Sequence, residues 1–212
     1  MLNLHDMRRE YKQSELDEHS VDANPFVQFE KWFVEAQNAQ VLEPNSMLLA
    51  TSSAQNIPNI RAVLLKIFDE RGFVFFTNYT SDKAKEIEEN PNVAVEFLWL
   101  DLERQVRIIG TCEKISSAES LAYFMKRSRG SQIGAWVSEQ SKIISSRKLL
   151  SMALEKMKEK FKNGEVPLPD FWGGYRVIPN KIEFWQGRES RLHDRVLYTK
   201  EENQWEISRL AP

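Results

Sequence analysis

The sequence is poor in the residues that build disulfides and zinc centres. Its 212 residues include one cysteine, Cys112, and three histidines. A single cysteine excludes an intrachain disulfide and a cysteine metal cluster. The histidines are too far apart along the chain to follow a zinc-ligand spacing. We therefore expect no metal centre.

The chain also lacks an excess of charge of one sign and any long apolar run. Its 29 lysines and arginines nearly balance 31 aspartates and glutamates, for a formal net charge of −2. Without a basic field we expect neither a nucleic acid nor a membrane as a partner. The apolar runs are too short to span a bilayer, and the first residues lack the hydrophobic region of a signal peptide. The expected location is cytoplasmic.

Glycine is scarce, with eight residues, and no glycine-rich phosphate loop of the dinucleotide or P-loop type occurs. The chain offers short alternating segments separated by turns instead. Alternation predicts strands over residues 46–53, 59–68, 73–78, 92–100 and 104–115. The first three form an antiparallel meander, which argues against a βαβ fold. The predicted class is α+β, with a mostly antiparallel sheet.

Helix signals lie between and around these strands. Asn24 and Pro25 predict a helix start, because asparagine caps helices and proline fits the first turn. Further helices are predicted over residues 81–90, after the capping box Ser116–Glu119, and from Ser145 or Ser146 to Asn163.

The first 23 residues are polar and show little periodicity. They predict a mobile N-terminal arm, since chain ends are often poorly ordered. The functional alternative is a lid that closes over a ligand through an arginine and a tyrosine. Residues 24–212 are predicted to form a single domain.

Arg191, His193 and Arg195 alternate along a segment that we interpret as a strand. Side chains two apart on a strand share a face, so this cationic row would suit an extended anionic ligand. Phe184 and Trp185, on the strand before it, supply flat apolar surface, and a ring system carrying phosphate would use both features. The alternative is a solvated edge strand whose charges discourage edge pairing.

Tyr123 and Arg127 stand four residues apart on the helix that follows the capping box. This spacing places both side chains on one helix face, and Ser131 lies a further turn along. A phenol, a guanidinium and a hydroxyl in this order could grip a phosphate. The alternative is a surface helix with a stacked tyrosine–arginine pair.

Eight short segments occur in one order over nearly the whole chain, and together they resemble the pyridoxine (pyridoxamine) 5′-phosphate oxidases. The segments are Arg8-Arg9-Glu10-Tyr11, Arg61-Ala62-Val63-Leu64-Leu65-Lys66, Glu103-Arg104-Gln105-Val106, Ser131-Gln132-Ile133-Gly134-Ala135-Trp136, Pro167-Leu168-Pro169, Phe171-Trp172-Gly173-Gly174, Glu183-Phe184-Trp185-Gln186-Gly187 and Arg191-Leu192-His193-Asp194-Arg195. The resemblance implies a split β-barrel with peripheral helices that binds FMN at a homodimer interface, with composite active sites.

The resemblance also implies a role for individual residues. FMN would contact Arg61, Ala62, Val63, Leu64, Leu65, Lys66, Phe76, Thr77, Lys83, Gln105, Gln140, Ser141, Trp185 and Arg195. Substrate would contact Arg8, Tyr11, Lys66, Tyr123, Arg127, Ser131, Arg191 and His193. Arg191 and His193 would be the catalytic pair, orienting the substrate ring and stabilising charge on it.

Two features of the sequence disagree with the roles that the resemblance implies. The family usually carries arginine where this chain has Asp82, and a carboxylate there would repel the FMN phosphate, so we expect Asp82 to point away. Strict alternation would also place Arg61 and Lys66 on opposite strand faces, although the resemblance assigns both to one site. A bulge, strand twist or FMN lying across the strand end would reconcile them.

The implied reaction is the oxidation of pyridoxine 5′-phosphate or pyridoxamine 5′-phosphate to pyridoxal 5′-phosphate, with O₂ as acceptor and H₂O₂ as product. The flavin would carry the redox chemistry, and the protein would supply position and electrostatics. The alternatives are another split-barrel flavin reductase and a non-catalytic protein that binds FMN or pyridoxal phosphate.

Overall fold

The computed structural model describes residues 10–202 and 204–212, which form one antiparallel sheet with helices around it. The strands are β1 (Ser46–Ser52), β2 (Pro58–Leu64), β3 (Ile67–Asp69), β4 (Gly72–Asn78), β5 (Asn92–Trp99), β6 (Arg104–Lys114), β7 (Trp172–Gln186), β8 (Asp194–Glu201) and β9 (Gln204–Arg209). The helices are α1 (Pro25–Asn38), α2 (Asp82–Glu89), α3 (Ser117–Lys126), α4 (Arg129–Val137) and α5 (Arg147–Lys160). Short 3₁₀ turns cover Leu100–Leu102 and Glu189–Arg191. No described helix is long and apolar enough to cross a membrane.

The sheet runs in the order β2-β1-β5-β6-β7-β4-β3, and β8 and β9 extend it from β7. The strand predicted over residues 59–68 is therefore wrong, because β2 and β3 lie at opposite ends of this order. The chain crosses between them within two residues: the Leu65 N–H bonds Asn45 O at 2.8 Å, and the Lys66 N–H bonds Val74 O at 2.9 Å. The two ends of the sheet meet there, so the sheet curls into a barrel.

Strand β7 is the longest strand and pairs with three others, β4, β6 and β8. Its register with β6 shifts between Ile109 and Gly110, opposite Pro179. Proline cannot donate to a strand ladder, and a bulge is where a sheet tolerates it. The bulge brings the backbones close together: a Cβ on Gly110 would stand 2.0 Å from the Ile178 carbonyl oxygen. Any side chain at position 110 would disrupt this contact.

Helix α1 supplies much of the main core and begins as the sequence predicts. The Asn24 side chain caps it by accepting the Phe26 N–H at 2.9 Å. Phe29 is fully buried, and its ring centroid lies 5.0 Å from those of Phe73 and Phe97. A smaller second core under α3, α4 and α5 includes Trp172. Helix α5 ends at Lys160, three residues earlier than predicted, because the Phe161 and Lys162 N–H groups already make terminal turns.

Candidate active site

A cavity of about 740 Å³ opens between β2, β4, α2 and the α3–α4 region. This volume is in the range of small-molecule and cofactor sites. Of the residues that the resemblance assigns to ligands, the cavity is lined by Arg61, Ala62, Val63, Leu64, Lys66, Phe76, Thr77, Lys83, Tyr123, Arg127, Ser131, Gln140 and Ser141. Leu65 instead packs into the main core. The break between β2 and β3 allows Arg61 and Lys66 to line one cavity, which removes the conflict that strict alternation created.

Lys83 lines the cavity from the first turn of α2 and is 7% exposed. Its hydrogen-bond partners within the described residues are neutral oxygens: Thr77 Oγ1 at 3.2 Å, Ser81 Oγ at 3.3 Å and Gln140 Oε1 at 3.3 Å. Burial, assisted by the nearby Arg61 charge, lowers the pKa of the amine, while Asp82 and Glu86 oppose the shift. A buried cation at a helix N-terminus is well placed to bind an anion.

Arg61 lines the same cavity and is held in place there. Its Nη2 is 2.9 Å from Glu86 Oε2, and its Nη1 donates to Leu49 O at 3.2 Å and also contacts Thr51. Burial raises the pKa of Glu86, but hydrogen bonds from Thr51, Asn59 and Arg61 outweigh it and lower the pKa overall. Sequence reasoning missed Glu86, although its i+3 spacing from Lys83 places both on one face of α2.

Arg127 lines the cavity from the junction between α3 and α4. Its Nη1 is buried and has no hydrogen-bond partner among the described residues. The guanidinium carbon stands 4.6 Å from the centroid of the Trp172 ring. Burial lowers the pKa of Arg127, and Tyr123 opposes that shift. An orphaned buried donor on a residue that lines a cavity calls for an explanation, and an acceptor supplied by a ligand is one.

The helix spacing that we used for Tyr123 and Arg127 is wrong, because α3 ends at Lys126 and Arg127 has extended backbone angles. Both side chains nevertheless line the cavity, and so does Ser131 from α4. The Tyr123 ring stacks on Phe76 with a centroid distance of 3.9 Å. The structure therefore brings the three residues together across a break between two helices.

Asp82 stands at the cavity rim, where its carboxylate is exposed and 3.8 Å from Lys85 Nζ. Its backbone N–H donates to Ser141 Oγ at 3.2 Å. The negative charge of Asp82 therefore remains near Lys83, whose pKa it acts to raise.

A second group of predicted residues lies outside this cavity. Gln105, Trp185 and Arg195 are neighbours across β6, β7 and β8 in the strand register. Arg195 Nε donates to Glu183 Oε1 at 2.8 Å, and Arg195 Nη1 donates to Ala211 O at 2.8 Å. The hydrogen bond with Glu183 raises the pKa of Arg195. Glu183 is a further residue that sequence reasoning missed.

The cationic row predicted from Arg191, His193 and Arg195 is not a strand face. β8 begins at Asp194, and Gln186 opposite Asp194 is the last pair between β7 and β8. The chain must reverse direction between these two residues, so Arg191 falls in a 3₁₀ turn with φ of 63°. Alternation of polarity cannot distinguish such a loop from a strand.

The His193 ring packs near two aromatic side chains, Trp185 of this second group and Tyr11. Its ring centroid lies 4.6 Å from Trp185 and 5.8 Å from Tyr11. The Arg188 N–H donates to His193 Nδ1 at 3.1 Å, which assigns the imidazole proton to Nε2. Burial and then the Arg191 charge lower the pKa of His193, and Asp194 opposes them. Arg8, the other predicted lid contact, lies outside the described residues.

Two sequence models from one protein family match the regions of the chain that contain these two groups of residues. The sequence model described as pyridoxamine 5′-phosphate oxidase matches residues 33–161. A second, described as the C-terminal dimerisation region of pyridoxine 5′-phosphate oxidase, matches residues 172–212. The chain belongs to the pyridoxamine 5′-phosphate oxidase family. The cavity residues come mostly from the first region, and Trp185, Arg191, His193 and Arg195 come from the second.

Full-length relatives support the assignment. The pyridoxine/pyridoxamine 5′-phosphate oxidase 2 of Hydrogenovibrio crunogenus is 59% identical over 211 residues, covering 100% of this chain and 99% of that protein. The pyridoxine/pyridoxamine 5′-phosphate oxidase of Crocosphaera subtropica is 60% identical over 214 residues, covering all of both chains.

Solved structures confirm the predicted split-barrel fold of the family. PhzG from Burkholderia lata 383, solved in complex with tetrahydrophenazine-1-carboxylic acid, superposes with a TM-score of 0.90 at 25% identity. The match covers 96% of this chain and 100% of that one. A pyridoxamine 5′-phosphate oxidase-related, FMN-binding protein from Nostoc punctiforme has a TM-score of 0.73 at 17% identity, covering 91% and 99%.

Proposed function

We propose that this protein oxidises pyridoxine 5′-phosphate and pyridoxamine 5′-phosphate to pyridoxal 5′-phosphate, with FMN as cofactor, O₂ as acceptor and H₂O₂ as product. The observation that carries the proposal is a cavity lined by two cations, Lys83 and Arg127, neither of which forms a salt bridge with another described residue. A flavin and a substrate that each carry a phosphate would satisfy both. The names of the full-length relatives supply the substrate class.

The charged residues of the cavity are suited to FMN, which carries a phosphate. Lys83, with Ser141 and the α2 N-terminus, would hold the FMN phosphate, and Arg61 is fixed beside them by Glu86. Residues 61–64 and Lys66 would present backbone and side chains along the flavin. Bound FMN would accept two electrons from the substrate carbon and pass them to O₂.

The substrate phosphate would lie against the part of the cavity wall that the α3–α4 region supplies. Arg127 offers the orphaned Nη1 as a donor, and Tyr123 and Ser131 offer hydroxyl groups. Lys66 lines the same cavity and adds a second positive charge. These contacts to the phosphate lie away from the reacting carbon, and their binding energy serves to position that carbon.

We propose that the active site is composite. In a homodimer, the Trp185 group of one protomer would complete the cavity of its partner, and we give this name to Gln105, Trp185, Arg191, His193 and Arg195. Within one chain, neither Trp185 nor Arg195 lines the described cavity. Both belong to the segment that matches a dimerisation region. Arg191 and His193 would then orient the substrate ring, with His193 Nε2–H as a neutral hydrogen-bond donor.

The role of residues 1–23 as a lid stays a prediction, as does the cytoplasmic location. Tyr11 is the described residue that supports the lid, because its ring packs against Trp185 and His193.

Peroxide release tests the proposed function directly. Protein reconstituted with FMN should form H₂O₂ from pyridoxine 5′-phosphate and much less from unphosphorylated pyridoxine. Arg127→Met should lower kcat/KM for the phosphorylated substrate by roughly 10²-fold, because a charge-assisted contact to phosphate is lost. Lys126→Met, which changes an exposed neighbour, is the matched control. Absence of peroxide, or equal use of the unphosphorylated alcohol, would contradict the proposal.

A further inference from the structure

Glu103 connects the N-terminal segment to the sheet at the base of the Trp185 group. It lies between the 3₁₀ turn Leu100–Leu102 and β6, with φ of 56° and 3% of its surface exposed. Its Oε2 accepts the Lys12 N–H at 2.9 Å and the Gln13 N–H at 3.2 Å. One carboxylate oxygen therefore receives two successive backbone donors, which is a strong, charge-assisted arrangement.

The backbone of Glu103 also binds the residues that follow β7. Its carbonyl oxygen accepts the Gly187 N–H at 2.7 Å. A Cβ on Gly187 would stand 2.7 Å from Tyr11 Cγ, so the Tyr11 ring rests directly on the Gly187 backbone. Glu103 thus holds both the segment that carries Tyr11 and the surface on which Tyr11 lies.

Tyr11 is thereby placed in a group of three rings. Its centroid lies 5.9 Å from Trp185 in an edge-on arrangement and 5.8 Å from His193. Because aromatic rings interact over these distances, a displacement of Tyr11 changes the surroundings of both neighbours.

The next residues of the segment have anchors of their own. The Leu16 N–H donates to Asp194 Oδ2 at 3.1 Å, and the Leu16 side chain is 5% exposed. Arg188 Nη1 donates to Ser14 O at 3.2 Å. Loss of the Glu103 carboxylate should therefore release the segment only up to about residue 13, as a local opening, while residues 14–16 stay docked.

We infer that Glu103 is a positioning residue whose carboxylate docks residues 12 and 13 and so sets Tyr11 against His193 and Trp185. Glu103 acts through Tyr11 and does not itself contact the substrate. This inference rests on the proposed function for its kinetic consequence, but not for the docking itself.

Amide hydrogen exchange in the FMN-loaded protein tests the docking without reference to activity. In Glu103→Ala, the Lys12 and Gln13 amides should exchange about tenfold faster or more, because a charge-assisted acceptor is lost. The Leu16 amide should keep its protection. Glu103→Gln should restore most of the protection at 12 and 13, since its side-chain oxygen can accept both bonds. Asp101→Asn changes an exposed carboxylate two residues away and keeps the Asp101 carbonyl, which accepts a bond from Gln13 Nε2, so it should leave all three amides unchanged.

Kinetics then test the positioning role. Glu103→Ala should raise KM for pyridoxine 5′-phosphate about tenfold while kcat changes less than about threefold, and Glu103→Gln should recover most of the loss. In a Tyr11→Leu background, Glu103→Ala should have no further effect on KM, as expected for two residues that act as one unit.

Three results would overturn the inference: unchanged exchange at Lys12 and Gln13, an unchanged KM, or full additivity with Tyr11→Leu. If the protein showed no oxidase activity at all, the proposed function would fail, and the exchange rates would still decide whether Glu103 docks the segment. Circular dichroism and the Leu16 amide report whether Glu103→Ala remains folded.

Discussion

Lys83 Nζ lies 3.3 Å from the side-chain oxygen of Gln140, so the segment after α4 closes over the buried amine. Gln140 also accepts a hydrogen bond from Thr77 Oγ1 at 3.0 Å. These contacts solvate the amine with neutral dipoles, and no described residue forms a salt bridge with it. A phosphate arriving beside Lys83 would replace them with an ionic partner.

Replacing Lys83 by methionine should weaken FMN binding. The loss of a charge-assisted phosphate contact should cost about 2 kcal/mol, equivalent to a roughly 30-fold higher Kd. FMN fluorescence quenching measures the affinity. Lys85→Met, which removes an exposed charge from the same helix, is the control and should change Kd less than about threefold. Equal affinities in both variants would remove Lys83 from the phosphate site.

The same substitution should stabilise the protein without FMN. The lowered pKa of Lys83 means that folding disfavours its charged form, chiefly through burial. Methionine has similar length and no charge to desolvate, so the free energy of unfolding of the apoprotein should rise by about 1 kcal/mol. Urea denaturation measures this change. A loss of stability together with a loss of affinity would indicate instead that Lys83 holds the fold together.

Asp82→Arg should tighten FMN binding by about 1 kcal/mol, the scale of one partly exposed charge-assisted contact. The physical reason is that Asp82 lines the cavity and its charge acts on the neighbouring Lys83. Asp82→Asn removes only the repulsion and should give a smaller gain. Titrations at low salt should show both effects, and added salt should reduce them. If Asp82→Arg binds FMN no better than wild type, the side chain at position 82 does not face the phosphate.

Much of the fold could be predicted because local signals agreed with the final structure. Asn24 caps α1 and the Ser116–Glu119 capping box begins α3, both through contacts within three residues. The strands that alternate clearly, β1, β5 and β6, appear within about one residue of their expected bounds. Local capping and alternation depend on neighbours in the chain, so one sequence is sufficient to find them.

The parts that could not be predicted depend on partners far away in the sequence. Arg191 leaves the expected strand because β7 and β8 pair only as far as Asp194, and pairing register is a tertiary property. Glu86 and Glu103 gain their roles from Arg61 and from the backbone of residues 12 and 13. The spacing of Glu86 from Lys83 shows a shared helix face, but no local pattern shows that a glutamate will pair with a group so far away in the sequence.

His193 should make the stability of the protein depend on pH. Its folded-state pKa is lowered, so the unfolded chain binds the proton more readily. The stabilising contribution of neutral His193 is therefore fully present above the unfolded pKa of about 6.5. It is lost as the pH falls below that value, and the loss levels off below the lowered folded pKa. Protonation would also break the bond that Nδ1 accepts from the Arg188 N–H.

Urea denaturation between about pH 5 and pH 8 measures this dependence. The difference between wild type and His193→Gln isolates this residue from the other histidines. We expect the advantage of wild type to shrink as the pH falls. A difference that is constant with pH, or grows in acid, would show that His193 is not held neutral.

Substitutions in the loop before β8 and in β8 should have different effects. A substitution of Arg195 should weaken cofactor binding, whereas substitutions of Arg191 or His193 should impair use of the substrate. Arg195 is fixed by Glu183 and by the Ala211 carbonyl, whereas Arg191 and His193 lie in the loop before β8. We expect Arg195→Ala to weaken FMN affinity first, with activity partly recovered at high added FMN. Arg191→Ala or His193→Ala should leave FMN bound. Each should lower kcat/KM for pyridoxine 5′-phosphate by roughly 10²-fold, equivalent to about 3 kcal/mol of transition-state contacts.

Lys200→Ala is the control for this series, because it removes an exposed charge from β8 well away from the loop. The alternative, that all three residues form only a solvated surface, predicts effects within about 0.5 kcal/mol for every variant. FMN titration and steady-state kinetics on the same preparations distinguish the outcomes. Wild-type kcat/KM in Arg191→Ala or His193→Ala would remove that residue from the substrate site. Loss of FMN from either variant, with Arg195→Ala still fully loaded, would reverse the division of roles.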